Sequence, residues 1–297
     1  MRRAATIAGL REAVDAWRRQ GMRVALVPTM GNLHAGHLAL VARARELADR
    51  VVVSVFVNPL QFDRPDDLAA YPRTLEQDAA ALDAVGADLL FAPAEREVYP
   101  AGGSLTRIEV EGVTAVLEGA ARPGHFTGVA TVVAKLFNMA QPDVAVFGEK
   151  DWQQLLVIRR LVADLDFPVV IEGLPTVREA DGLALSSRNG YLAPEERQRA
   201  PRLYATLVQL VEALRAGEDD IPRLEAQAGE ALEKAGFRPD YISVRRAADL
   251  ALPGPADREL IVLAAAWLGR ARLIDNLPFE LSGAPGDAPR EGLKQAH

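Results

Sequence analysis

Apolar residues fall along this chain in two rhythms. Short unbroken apolar runs alternate with stretches in which apolar residues return every three to four positions. The runs "RVALVPT" (Arg23 to Thr29), "VVVSVFV" (Val51 to Val57), "ADLLFAP" (Ala87 to Pro93), "VAVFG" (Val144 to Gly148) and "PVVIEG" (Pro168 to Gly173) are of the first kind. Continuous aliphatic runs of this length predict strands buried on both faces. "HLALVARARELAD" (His37 to Asp49) is of the second kind, with Leu38, Val41, Ala44 and Leu47 on one helical face. Residues 75–85 and "WQQLLVIRRLVADL" (Trp152 to Leu165) also read as helices. Strands separated by helices predict an α/β fold: a Rossmann-like, doubly wound parallel sheet. Ligands of such sheets sit beyond the carboxyl ends of the strands.

The rhythm changes after Leu174. Pro175 to Gln198 is polar and punctuated by Gly and Pro, which marks a loop or linker. Helices are predicted at about Ala193 to Ala216 and Ile221 to Ala235. The strands "DYISVRRA", "ELIVLAAAWLG" and "ARLIDNLPF" follow. The expected organisation is a Rossmann-like domain over residues 1–175 and a second, smaller α+β lid domain over residues 176–282. Residues 283–297 have no periodicity and are expected to be a disordered tail.

Composition changes this picture in only a few places. The chain has 297 residues, 49% hydrophobic and 25% charged, as ordinary globular proteins do. A net charge of −7 leaves no basic field for nucleic acid, so an anionic ligand must be met by local donors. The absence of cysteine excludes disulfides, thiolate catalysis and cysteine–zinc sites. The amino-terminal apolar run is too short for a signal peptide, and Glu12 and Asp15 argue against a transit peptide. No run approaches 18 apolar residues, so the expectation is a soluble cytoplasmic protein with no nucleic-acid or membrane partner. Of 34 cations only four are lysines, and there are only four histidines.

Two of those histidines stand together. "VPTMGNLHAGHLALV" places His34 and His37 where the first predicted strand turns into a helix. A helix N-terminus offers unpaired N–H groups and a positive dipole end to phosphate. Residues three apart on its first turn share a face, so both rings can aim donors at one phosphate. Gly31 and Gly36 allow close backbone approach. The other readings are a satisfied structural histidine or a metal ligand. The spacing, the junction and the scarcity of histidine favour the anion site, and no third ligand is near for a metal.

"HAGH" (His34 to His37) resembles the H-x-G-H signature of the nucleotidyltransferase superfamily, which implies ATP cleaved between its α and β phosphates. Three more motifs follow in order: "NPLQF" (Asn58 to Phe62), "GEKDWQQL" (Gly148 to Leu155) and "SSRN" (Ser186 to Asn189). Together with "PTMGNLHAGH" they resemble the pantoate–β-alanine ligase (pantothenate synthetase) family over all but the tail. Leu185 stands where that family commonly has Met, a swap that conserves volume. The tail is longer than the family needs.

The resemblance implies an AMP-forming ligase that condenses pantoate with β-alanine through pantoyl adenylate, releasing pyrophosphate. It implies catalytic roles for His34, His37, Lys150 and Arg188. The implied ATP site is Met30, Gly31, Asn32, Leu33, His34, Ala35, Gly36, His37, Gly148, Glu149, Lys150, Asp151, Val177, Leu185, Ser186, Ser187 and Arg188. Pantoate falls to Met30, Asn58, Gln61, Arg122 and Gln154, and β-alanine to Gln61. No metal ligand is assigned, since Mg²⁺ is expected to arrive with ATP. The implied assembly is a homodimer.

The residue types fit this chemistry. A compact ammonium such as Lys150 suits a phosphate that moves during reaction. Asp151 is either a helix cap or a contact to the nucleotide. Neutral amides at Gln61 and Gln154 can meet hydroxyls and a carboxylate without over-stabilising the attacking group. His125, beside Arg122, reads as structural. The rival functions are a nucleotidyltransferase acting on a phosphorylated acceptor and a non-catalytic ATP-binding module.

Overall fold

The alternating apolar runs become parallel strands with helices on both sides. In the computed structural model, which describes residues 1–62, 65–100 and 102–281, the strands are β1 (Arg2–Ala4), β2 (Val24–Thr29), β3 (Arg50–Val55), β4 (Leu89–Phe91), β5 (Val144–Gly148) and β6 (Val170–Leu174). They pair in parallel in the order β1-β4-β3-β2-β5-β6. The helices α1 (Ile7–Arg18), α2 (Ala35–Leu47), α3 (Pro65–Ala70), α4 (Leu75–Ala84), α5 (Glu95–Val98), α6 (Leu117–Ala121), α7 (His125–Ala140) and α8 (Trp152–Asp164) connect them.

Successive residues of a strand point to opposite faces, and here both faces are covered. Leu26, Val52, Phe91 and Phe147 join a core with α1, α7 and α8. Val27, Val53, Leu90 and Val146 join a second core with α2 and α4. Each Val, Leu or Phe so buried contributes about 1.5–3 kcal/mol. That is why these strands carry no polar alternation.

Three elements depart from the expected pattern. Helix α7 is not announced by an apolar stripe, because nearly every side chain along it is buried. Strand β1 is a three-residue edge strand whose two arginines hide it in a charged segment. The single helix expected at 193–216 is two, α9 (Pro194–Arg199) and α10 (Arg202–Arg215). They break at Pro201, which has no N–H to continue the ladder.

The second sheet is antiparallel, in the order β7 (Arg238–Arg246), β8 (Glu259–Leu268), β9 (Ala271–Glu280). On one face Val262, Ala264 and Ala266 of β8 pack with α10 and α11 (Ile221–Lys234). On the other, Ile261 and Leu263 pack against Leu156 of α8. The small sheet is thus seated on α8 of the large unit. Polar bonds pin the same seam. Arg272 donates two hydrogen bonds to Glu118, both at 2.8 Å, and Tyr241 Oη donates to Glu118 at 3.0 Å. Trp152 Nε1 donates to the Ala247 carbonyl at 3.1 Å. The expected tail, residues 283–297, lies outside the described residues. No helix among the described residues is long and apolar enough to cross a membrane.

Candidate active site

The strand order reverses direction between β2 and β5. Strand β2 leads through α2 to β3 on one side, and β5 leads through α8 to β6 on the other. The carboxyl ends part there and leave a crevice, the usual ligand position of such sheets. A cavity of about 640 Å³ opens at this place. Its walls come from the segments after β2, β3 and β5, the strap at 174–177, the loop at 185–191 and the edge of the small sheet.

His34 is the N-cap of α2, and the two histidines cap that helix reciprocally. His34 Nδ1 accepts from the Gly36 N–H at 3.2 Å, and His37 Nδ1 accepts from the His34 N–H at 3.3 Å. A backbone N–H can only donate, so both Nδ1 atoms are acceptors and both ring protons reside on Nε2. The rings lie 4.1 Å apart, centroid to centroid. Burial lowers the pKa of each; His37 falls to about 3, and Lys150 adds to the lowering of His34. Near pH 7 the pair therefore offers two neutral Nε2–H donors rather than two cations. Gly36 leaves room for the His34 ring, since a Cβ there would lie 2.9 Å from His34 Cε1 and push the ring from its capping position.

Asp78 of α4 holds the segment just before this pair. Its buried carboxylate accepts from Asn32 N–H at 3.0 Å, Leu33 N–H at 2.8 Å and Thr74 Oγ1 at 3.1 Å. The amides of Asn32 and Leu33 are thereby occupied. Gly31, Asn32, Leu33 and Ala35, expected to touch ATP, do not line the cavity. Glu149 is likewise outside the lining, and burial raises its carboxyl pKa.

Beyond β3, Gln61 lines the cavity with Nε2 3.1 Å from Met30 Sδ. Asn58, expected as a pantoate ligand, also borders the cavity, with its polar atoms already bonded to the protein. It is 1% exposed; Nδ2 donates to Gln61 Oε1 at 3.0 Å and to the Gly128 carbonyl at 3.1 Å. His125 Nδ1 donates to the Gln61 carbonyl at 2.8 Å, and Arg122 Nη2 donates to the same oxygen at 3.3 Å.

After β5, Gly148, Lys150, Asp151 and Gln154 all reach the lining. Asp151 stands at the N-cap of α8 but makes no capping hydrogen bond, which sets the helix-cap alternative aside. Asn276 of β9 fixes this turn from the small sheet: its Nδ2 donates to the Glu149 carbonyl at 2.9 Å and the Lys150 carbonyl at 2.8 Å. Val177, Leu185, Ser186, Ser187 and Arg188 complete the wall. Ser186 Oγ accepts from the Arg188 N–H at 3.2 Å. Tyr71 faces Ser187 and Arg188 across the opening, its phenol pKa raised by burial.

Several lining residues lay beyond sequence reasoning. Val129, Val132, Val133 and Leu136 form an apolar wall. They lie on α7, where burial on nearly every side leaves no apolar stripe to single them out. Arg272 and Tyr71 carry no sequence signal either, since each stands alone in the chain and reaches the cavity only through the fold. Among the described residues no group of three His, Asp or Glu side chains converges to hold a metal.

Comparison with known proteins decides the family. The sequence profile described as pantoate-beta-alanine ligase matches residues 2–278. The chain belongs to the pantoate–β-alanine ligase family. A pantothenate synthetase of Thioalkalivibrio sulfidiphilus is 68% identical over 277 residues, covering 93% of this chain and 97% of that protein. One of Pseudomonas aeruginosa is 59% identical over 277 residues, covering 93% and 98%. The crystal structure of a Thermus thermophilus pantothenate synthetase superposes with a TM-score of 0.87 at 51% identity, covering 93% and 99%. A pantoate–β-alanine ligase of Francisella tularensis, described as complexed with beta-gamma ATP and beta-alanine, gives 0.77 at 36% identity, covering 94% and 97%. As a member of this family the chain is a ligase that joins pantoate to β-alanine.

Proposed function

We propose that ligation runs in two steps at the switch-point cavity, with ATP as the activating substrate. The pantoate carboxylate attacks the α-phosphorus of ATP, releases pyrophosphate and forms pantoyl adenylate. The amine of β-alanine then attacks the acyl carbon and expels AMP. One observation carries this reading: two neutral Nε2–H donors at a helix N-terminus share one cavity with Lys150 and with the amides of Gln61 and Gln154. Phosphoryl transfer needs such positioning and charge neutralisation more than a covalent protein group.

In this proposal His34, His37 and Lys150 hold the phosphates at the reacting centre, and Arg188 with Ser186 and Ser187 closes over the departing ones. Met30, Gly36, Gly148, Asp151, Val177 and Leu185 line the nucleotide side. Gln61 and Gln154 meet the hydroxyls and carboxylate of pantoate, with Arg122 nearby, and the α7 wall receives its two methyl groups. β-Alanine binds beside Gln61. Mg²⁺ carried with ATP would supply neutralisation of phosphate charge. The uncapped carboxylate of Asp151 fits a contact to that ion. Residues 176–282 act as a lid that shields the water-labile adenylate. A homodimer in the cytoplasm completes the reading, on the family resemblance.

The test is oxygen transfer. With ¹⁸O in the pantoate carboxylate, one label is expected in the phosphate of AMP. Production of ADP, or unlabelled AMP, contradicts the adenylate route.

A further inference from the structure

Behind Gln61 lies a row of buried polar groups that the ligation steps do not use. Tyr99, just after α5, is 1% exposed. Its O–H donates to Asn58 Oδ1 at 2.8 Å. The same Oδ1 accepts from the Leu60 N–H at 3.3 Å. On the other end of the Asn58 amide, Nδ2 donates to the Gly128 carbonyl and to Gln61 Oε1. A backbone N–H only donates and a carbonyl only accepts, so Leu60 and Gly128 leave the Asn58 amide a single orientation. Its donors then face Gln61, whose Oε1 must accept. The Gln61 Nε2 is left toward the cavity, beside Met30 Sδ.

We propose that Tyr99 is a positioning residue, which through Asn58 fixes the polarity of the Gln61 amide so that N–H donors face the substrate. The inference rests on the assignment of Gln61 to pantoate. A glutamine side chain offers a donor end and an acceptor end of nearly the same shape. An unrestrained amide samples both, and the acceptor end turned to a carboxylate sets lone pair against lone pair. Three observations support a built relay. Burial, with Glu95 adding to it, raises the Tyr99 pKa, so its proton stays in place to be donated. Gly128 admits close approach: a Cβ there would lie 2.3 Å from the Leu60 carbonyl oxygen and 2.7 Å from the Gln61 nitrogen. Helix α7 can therefore bring the Gly128 carbonyl up to Asn58. His125 and Arg122 hold the Gln61 backbone from the other side, so only the side-chain torsions remain to be set.

The test is a double-mutant cycle of Tyr99→Phe with Gln61→Ala, reading the KM for pantoate, the KM for ATP and kcat. Phe keeps the ring and removes only the hydroxyl. Tyr99→Phe alone is expected to raise the pantoate KM about five-fold, the size of one lost hydrogen bond, with the ATP KM unchanged. In the Gln61→Ala background the same substitution is expected to change nothing further. Equal effects in the two backgrounds, or an unchanged pantoate KM in Tyr99→Phe, overturn the relay. An unchanged pantoate KM in Gln61→Ala itself overturns the Gln61 assignment and the relay with it. Circular dichroism and melting verify the fold. If Tyr99→Phe does not fold, Asn58→Ala enters the same cycle with the same expectation.

Discussion

His34 and His37 each spend Nδ1 on the backbone, which leaves Nε2 free of the cap at the cavity wall. In the proposed reaction that division makes the pair at once a helix cap and a donor set. Replacing His37 by Ala removes a preorganised donor, and loss of one such donor costs about 3 kcal/mol of transition-state stabilisation. Turnover is expected to fall about a hundred-fold in a variant that still folds, because the lost cap itself costs only about 1 kcal/mol. Steady-state kinetics check this, and wild-type turnover contradicts it. His125 makes a different prediction. Burial, then Arg122, lowers its pKa to about 4, whereas the unfolded chain titrates near 6.5. Between those values the unfolded state binds the extra proton, so its contribution is complete above pH 6.5 and is lost as pH falls toward 4. One such histidine gives a slope of about 1.4 kcal/mol per pH unit. His125→Asn offers Gln61 a donor that does not titrate. The stability advantage of wild type over variant is expected to shrink by that amount per pH unit below 6.5; parallel curves in urea titrations contradict it. At this scale the H-x-G-H pair is legible in the sequence, since spacing and a strand–helix junction are local. The parts played by Asn58 and Asp78 are not. Asn58 sits in a motif, but its bonds to Tyr99 and Gly128 cross 41 and 70 residues. The bonds from Asp78 to Asn32 and Leu33 cross 46 and 45.

Among elements, the strands are legible wherever both faces are apolar, and hidden where charge masks them, as in β1. Helix α7 shows the opposite failure: burial on all sides erases the stripe that periodicity detects, although this helix supplies the apolar wall of the site. The seam between α6, β7 and β9 is invisible for another reason. Glu118 and Arg272 lie 154 residues apart, and either read alone is a surface charge. In the fold both are largely buried, with side-chain exposures of 11% and 16%. Burial pushes the Glu118 carboxyl up, and the hydrogen bonds and charge of Arg272 more than reverse this, leaving it below its ordinary value. Removing one partner of such a pair strands a buried charge at a cost of about 3–5 kcal/mol. Arg272→Ala is expected to lower stability by that order in equilibrium denaturation. A change below about 1 kcal/mol means that the pair is solvated and does not pin the seam.

For the whole molecule, the motifs follow one another in sequence as their strands' carboxyl ends meet in space. The segments after β2, β3 and β5 converge because the parallel sheet changes winding direction between β2 and β5; the alternating runs imply a doubly wound parallel sheet but not this strand order. The seating of the small sheet is not implied, since β8 reads as a continuous apolar strand whether its second face meets a helix, a partner or the large unit. That seating brings Asn276 onto the Lys150 turn and Arg272 into the cavity wall. In the proposed reaction both steps share this cavity, and pantoate is activated there before the amine takes part. Isotope exchange between pyrophosphate and ATP measures this directly, with each substrate omitted in turn. Labelled pyrophosphate is predicted to enter ATP when pantoate is present and β-alanine is absent. Exchange that strictly requires β-alanine would contradict the two-step account, and exchange without pantoate would contradict the substrate assignment too.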